Sequence, residues 1–310
     1  MKNILITGGL GFIGSNFTKY VYEKYDYNIW NIDKVTYAAN PGNIPDNIKN
    51  SERYNFVQCD INETSRLNSI VKQHNINYIV NFAAESHVDN SINDSSPFVH
   101  TNITGTHSLL TLLHNCSSVE KYLQVSTDEV YGSLSEQCPA FIEQSAIKPN
   151  SPYSASKASA DLLCRSFHET FKYPILITRC SNNYGPNQHE EKLIPLMIKN
   201  AKAGKNLPVY GDGRNIRDWI HVNDHCSGID TVLHTGTIGE IYNIGGNNEI
   251  RNIDIVKTIL SLLNRDEDQI EYVEDRLGHD WRYAINNNKI QTQLGWSPSY
   301  DFISGLKSLL

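Results

Sequence analysis

Tyr153 and Lys157 stand four residues apart in Ser151-Pro152-Tyr153-Ser154-Ala155-Ser156-Lys157. A helix with Ser151 as its cap and Pro152 at its first position puts the phenol and the ammonium on one face. The cation favours phenolate, lowering a pKa of about 10 towards that of a usable base. Such a base suits taking the proton from an alcohol while the same carbon gives up hydride. Tyr and Lys at this spacing are common on their own, as a core ring and a solvated amine. The run Ser126-Thr127-Asp128-Glu129-Val130-Tyr131-Gly132 is more informative, because it sets a hydroxyl and two adjacent acids directly after a strand ending at Val125. Open parallel sheets carry their sites at the carboxyl ends of strands. Oxidation of an alcohol needs only Tyr153, Lys157 and a hydroxyl such as Thr127. Two further carboxyls add acid–base work at a neighbouring carbon: one protonated to expel a hydroxyl, one ionised to remove an acidic C–H proton.

The same chemistry needs a hydride acceptor, and the N-terminus offers its binding site. Gly8, Gly11 and Gly14 fall at G-x-x-G-x-x-G spacing between the strand-like Ile4-Leu5-Ile6 and a helical segment, 13–24. Glycines there let the backbone turn tightly and approach a pyrophosphate, which rests where free N–H groups and the helix dipole favour negative charge. Asp33 follows Gly14 by nineteen residues, at the end of the next strand. A carboxylate at that place accepts from both ribose hydroxyls and repels a 2′-phosphate, so the spacing predicts NAD rather than NADP. Asp60 and Ile61 end a third strand, where a side chain meets the adenine. Ala83 and Ala84 follow a fourth, where small residues let the cofactor lie close.

The elements that position these groups alternate along the first half of the chain. Residues 4–6, 29–32, 55–57, 78–80, 122–125 and 175–177 read as strands, separated by segments of helical spacing such as 13–24, 64–74, 101–116 and 152–171. That rhythm predicts an α/β fold: a Rossmann-like, doubly wound parallel sheet with helices on both faces. Residues 38–50, rich in Pro, Gly and Asn, read as a loop. After about residue 181 prolines and glycines punctuate shorter elements, which predicts a smaller α/β substrate-binding lobe. The expected division is a dinucleotide-binding domain over 1–180, rejoined by 222–246, with the smaller lobe built from 181–221 and 247–310.

Composition narrows the class. The 310 residues carry 27 basic and 34 acidic side chains, a net charge of -7. That balance argues against nucleic-acid binding, which needs clustered Lys and Arg. A mean hydropathy of -0.42 and no long apolar run predict a soluble chain without a membrane span. The N-terminus enters a strand at once, without the layout of a signal peptide, so a cytoplasmic location is expected. The six cysteines lack metal-ligand spacing and read as buried reduced thiols, with no metal site.

Taken in order, these runs resemble one family. The extended short-chain dehydrogenase/reductases share GxxGxxG and YxxxK, and Thr127-Asp128-Glu129 is similar to the nucleoside-diphosphate-glucose 4,6-dehydratases within them. The resemblance extends over nearly the whole chain, through 33–38, 83–89, 179–186, 191–195, 209–213, 216–219 and 275–280. It implies a self-contained redox cycle on a nucleotide-activated glucose, with NAD regenerated in each turnover. Tyr153, with Lys157 and Thr127, would take the 4-hydroxyl proton. Glu129 would remove the proton from carbon 5, and Asp128 would protonate the departing 6-hydroxyl. Towards NAD the resemblance places Gly8, Gly11, Phe12, Ile13, Gly14, Asp33, Lys34, Thr36, Asp60, Ile61, Ala83, Ala84, Ser86, Thr101, Tyr153, Lys157 and Asn183. Towards the nucleotide sugar it places Ser86, Thr127, Asn182, Lys192, Leu193, Tyr210, Arg217, Asn252, Arg276 and His279. Arg supplies forked donors for a pyrophosphate and Lys a point charge, which suits those cations.

Thymidine and uridine remain alternatives. Asn90 with Gly185-Pro186-Asn187-Gln188 is similar to UDP-glucose enzymes, whereas Glu85-Ser86-His87 and Arg217-Asp218-Trp219 resemble thymidine-sugar enzymes. A nucleotide-sugar 4-epimerase or decarboxylase of the same superfamily is the competing activity, and a non-enzymatic NAD-sensing protein the competing class. By family analogy a homodimer forms through the 101–116 and 152–171 helices. Residues 301–307 resemble a final family helix that ordinarily continues, so a trimmed or naturally reduced C-terminal lobe is expected.

Overall fold

A computed structural model describes residues 1–275 and 277–310. The described strands are β1 (Asn3–Thr7), β2 (Asn28–Asp33), β3 (Tyr54–Gln58), β4 (Tyr78–Asn81), β5 (Lys121–Thr127) and β6 (Ile175–Cys180). They continue with β7 (Asn182–Tyr184), β8 (Leu207–Tyr210), β9 (Ile216–His221), β10 (Ile241–Ile244), β11 (Glu249–Arg251) and β12 (Ile270–Val273). Seven of them form one sheet in the order β10-β6-β5-β4-β1-β2-β3, with every pairing parallel. The order reverses between β1 and β4, which opens a crevice beyond the strand ends.

Alternation along the strands explains the two covered faces. Ile4 and Ile6 of β1 join Phe17 and Val21 of the Phe12–Lys24 helix and Ile229 and Val232 of the Val222–Thr235 helix in one core. Leu5 points the other way, with Ile79, Leu67 of the Thr64–Gln73 helix and Leu109. The expected 101–116 helix departs from regularity: Val99–Gly105 is a π turn that runs into the Thr106–Leu112 helix. The expected loop at 38–50 holds a short 3-10 turn, Pro41–Asn43, and one helical turn, Asp46–Lys49.

The smaller lobe has its own core, centred on Met197, Leu207, Trp219, Ile255 and Ile259. Its strands form β11-β9-β7 and β12-β8. Residues 247–310 divide between the two bodies, because Ile290 and Trp296 pack into the main-sheet core beside Ile229. No helix among the described residues is long and apolar enough to cross a membrane.

Candidate active site

β5 ends at Thr127, whose Oγ1 accepts the Glu129 N–H at 3.3 Å and starts the 3-10 turn Asp128–Tyr131. That turn swings Asp128 into the molecule: it is 2% exposed, Oδ1 accepts from Thr127 Oγ1 at 3.3 Å, and Oδ2 is buried without a partner. The Pro152–Phe171 helix starts where the sequence predicts, with a capping box between Ser151 and Ser154. It presents Tyr153 and Lys157, both buried, to the end of β5, and Lys157 Nζ donates to the Val125 carbonyl at 2.8 Å.

Burial sets the protonation of this group. The Asp128 carboxyl is pushed well above the usual carboxylate range, first by desolvation and then by Glu129 and Asp218, with the Arg217 guanidinium opposing. One acid of the pair is thereby favoured in its protonated form, as expulsion of a hydroxyl requires. Tyr153 departs from the sequence expectation: its phenol is raised, by desolvation first and the Glu129 charge second, rather than lowered by Lys157. The lysine amine is turned to the Val125 carbonyl, so helical spacing places it on the right face without making its charge the dominant influence.

The crevice is a cavity of about 330 Å³. Of the expected cofactor residues, Gly8, Gly11, Phe12, Ile13, Gly14, Asp33, Lys34, Thr36, Ile61, Ala83, Ala84, Ser86, Thr101 and Asn183 line it, with Thr127, Asp128, Glu129, Tyr153 and Lys157. Asp60 is not among them. Following β3, its Oδ1 closes a tight turn by accepting from Asn62 N and Nδ2, each at 2.9 Å, and its Oδ2 lies 3.9 Å from the amine of Lys34, which lines the cavity.

The crevice fits a dinucleotide on its own geometry. Gly8 has φ +65°, and a Cβ there would lie 2.8 Å from the Ala83 nitrogen; one on Gly14 would collide with the Gly8 carbonyl. The Phe12–Lys24 helix begins with no side-chain cap, leaving its first amides available to an anion. Asp33 Oδ2 accepts from Leu10 N at 3.0 Å and Oδ1 from Val35 N at 2.8 Å, which fixes the carboxylate at the end of β2.

The expected sugar-nucleotide residues are divided. Asn182 and Lys192 line the cavity; Leu193, Tyr210, Arg217, Asn252 and His279 do not. Leu193 begins the Leu193–Lys202 helix and packs against the smaller core. Arg217 is buried, donates to the Ile216 and Asp280 carbonyls at 2.7 and 2.9 Å, and lies over the Tyr283 ring. Tyr210 meets the His279 ring edge-on, and His279 Nδ1 is 2.6 Å from Asp275 Oδ1. Asn252 opens the Asn252–Leu262 helix with its Oδ1 buried and unpartnered. Arg276 lies outside the described residues.

Sequence reasoning missed Tyr283, whose phenol is raised by burial and then by the Glu129 charge. A parallel bridge between Ile216 and Arg282 brings it there, a contact no local spacing announces. Five cysteines are buried free thiols, but Cys138 is exposed. Among the described residues no group of three or more His, Cys, Asp or Glu could hold a metal ion.

A model of the GDP-mannose 4,6 dehydratase family matches residues 5–309. The chain is 47% identical over 306 residues to low-salt glycan biosynthesis protein Agl12 of Haloferax volcanii, covering 99% of this chain and 96% of that one. It is 45% identical over 326 residues to dTDP-glucose 4,6-dehydratase of Haemophilus influenzae, with the same coverage of 99% and 96%. A crystal structure of dTDP-glucose 4,6-dehydratase from Bacillus anthracis in complex with NAD superposes with a TM-score of 0.93 at 50% identity, covering 99% and 95% of the two chains. Matched from its first strand to its last helix, the chain belongs to the GDP-mannose 4,6 dehydratase family, the nucleotide-sugar 4,6-dehydratases of the extended short-chain dehydrogenase/reductases.

Proposed function

We propose that the protein is an NAD-dependent nucleotide-glucose 4,6-dehydratase acting on dTDP-glucose. The supporting observation is the convergence of Thr127, Asp128, Glu129, Tyr153 and Lys157 on one cavity that continues into the glycine-lined crevice. NAD, held by the Gly8, Gly11 and Gly14 turn and by Asp33, would supply the hydride acceptor for carbon 4 and the hydride donor for carbon 6. Tyr153, beside Thr127 and Lys157, removes the 4-hydroxyl proton. The resulting ketone acidifies carbon 5, from which Glu129 takes the proton. Asp128, buried and favoured in its protonated form, gives a proton to the departing 6-hydroxyl. Ser86, Asn182 and Lys192 hold the sugar diphosphate from the cavity wall, Arg217, Tyr210, Asn252 and His279 extend that site into the smaller lobe, and the family resemblance adds Arg276 as a further cation for the diphosphate.

A 4-epimerase has no leaving hydroxyl to protonate and no use for a buried protonated acid beside Glu129, which favours dehydration. Thymidine is preferred over uridine because the Haemophilus influenzae relative and the Bacillus anthracis structure named above are dTDP-glucose 4,6-dehydratases. Incubation with dTDP-glucose and UDP-glucose, followed by the alkali-induced absorbance of a 4-keto sugar, tests both points; absence of signal with either donor removes the reading.

Two further expectations accompany it. Gly8→Ala strains a left-handed position and drives a methyl into the Ala83 backbone. It should weaken NAD binding by at least about tenfold, roughly 1.4 kcal/mol, in a fluorescence titration. Val99, Leu162 and Phe171 expose apolar surface on the Val99–Gly105 and Pro152–Phe171 helices, which supports a homodimer through this face. Light scattering should give twice the chain mass, and a monomer there would remove the dimer. Six free cysteines accord with a reducing, cytoplasmic setting.

A further inference from the structure

The polar stripe on the catalytic helix does not end at Lys157. Asp161 stands one turn beyond it, so Tyr153, Lys157 and Asp161 recur every fourth residue, and all three are buried. Arg179 of β6 meets Asp161 from the sheet: its Nε donates to Oδ2 at 2.9 Å, with side chains 2% and 1% exposed. The guanidinium also lies 4.8 Å from the centre of the Tyr131 ring, and Tyr131 Oη donates to Asn243 Oδ1 at 2.8 Å. The pair therefore has a direction. Its cation rests on an aromatic face, and its anion stands one helical turn from Lys157, with Oδ1 buried and without a hydrogen-bond partner. A buried ion pair adds little stability over apolar residues of the same volume, so stability alone is a weak reason for this arrangement.

We propose that Asp161, fixed by Arg179, is a positioning residue that keeps Lys157 in its ammonium form inside the site. The proposal rests on the dehydratase reading for its purpose but not for its test. Burial pushes the Lys157 ammonium below its ordinary value, and the Asp161 carboxylate is the foremost charge opposing that. The other groups facing Lys157 carry no comparable negative charge. On its own helix the Cys164 thiol is raised by burial and then by Asp161, and Tyr153 is a phenol raised by burial. From β6 the Cys180 thiol is pushed up to about 12 by burial, and after β5 the Asp128 carboxyl is favoured neutral. Glu129 acts on Tyr153. Without a standing anion beside it, a fully buried amine loses its proton at a lower pH, and the helix face that carries Tyr153 loses its cation.

The test follows Lys157 by nitrogen NMR in NAD-bound protein carrying labelled lysine, the signal being assigned by its loss in Lys157→Met. In Asp161→Asn/Arg179→Gln, which removes both charges, the Lys157 midpoint should fall by about one pH unit. The alkaline limb of 4-keto sugar formation should move down with it. Arg179→Lys, which keeps the ion pair, should hold the midpoint near that of the wild type. A double variant that folds, by circular dichroism, with an unmoved midpoint overturns the proposal. Should the double variant not fold, Asp161→Asn alone removes the anion one turn from Lys157. Its midpoint must also fall, and an unchanged value is equally fatal. The titration needs no substrate, so a wild type that converts no nucleotide-glucose would sink the dehydratase reading while leaving the titration to judge Asp161.

Discussion

Tyr153→Phe should lower kcat for 4-keto sugar formation by about 10³-fold, close to 4 kcal/mol of transition-state stabilisation. The variant keeps the ring, which packs against Phe98 at a centroid distance of 6.3 Å, and loses only the phenol oxygen. The fold and the capping box of its helix involve other atoms, the Ser151 and Ser154 hydroxyls, so circular dichroism and Tm should stay close to wild type. KM should change little, because the lost group acts on a proton rather than on the diphosphate. A loss below about tenfold would mean that another group takes the 4-hydroxyl proton, since general-base contributions start near 10².

Glu129→Gln should separate oxidation from elimination. The amide cannot take the carbon 5 proton, so solvent deuterium should enter carbon 5 about 10² to 10³ times more slowly than in the wild type. A 4-keto sugar that still carries its 6-hydroxyl should accumulate, as read by proton NMR. Deuterium entering at the wild-type rate would show that Glu129 is not the base. Asp128 gives the same step its pH dependence. Its carboxyl is raised by burial and by Glu129, so the proton-donating form persists to higher pH than in an ordinary carboxylate and is lost as pH rises through the raised value. Elimination should therefore slow on the alkaline side. Asp128→Asn should slow elimination throughout and remove that limb, with the oxidation step retained.

Much of this frame is legible in the sequence because local rules carry it. Strands such as Ile4-Leu5-Ile6 are apolar on both faces and sit in a sheet covered on both sides. The helix carrying Tyr153 and Lys157 begins where Ser151, Pro152 and Ser154 announce a cap. The glycine turn and Asp33 meet at one crevice for the same reason: each is fixed by a strand end. What the sequence conceals depends on distance through space. Helical spacing puts Lys157 beside Tyr153 but does not reveal that its amine bonds the Val125 carbonyl or that burial dominates the phenol. Asp60 ends the expected strand yet its Oδ1 accepts both hydrogen bonds from Asn62. Tyr283 reaches Glu129 only because β9 pairs with a segment more than sixty residues later. In the smaller lobe, β7 and β11 are three residues long and leave no periodicity to read.

Dehydration by oxidation, elimination and return of the same hydride is most directly tested with dTDP-glucose carrying deuterium at carbon 4. The product should be the 4-keto-6-deoxy nucleotide sugar with that deuterium on carbon 6 of the same molecule, read by NMR and mass spectrometry. A product epimerised at carbon 4 that keeps its deuterium there and its 6-hydroxyl in place would contradict the account.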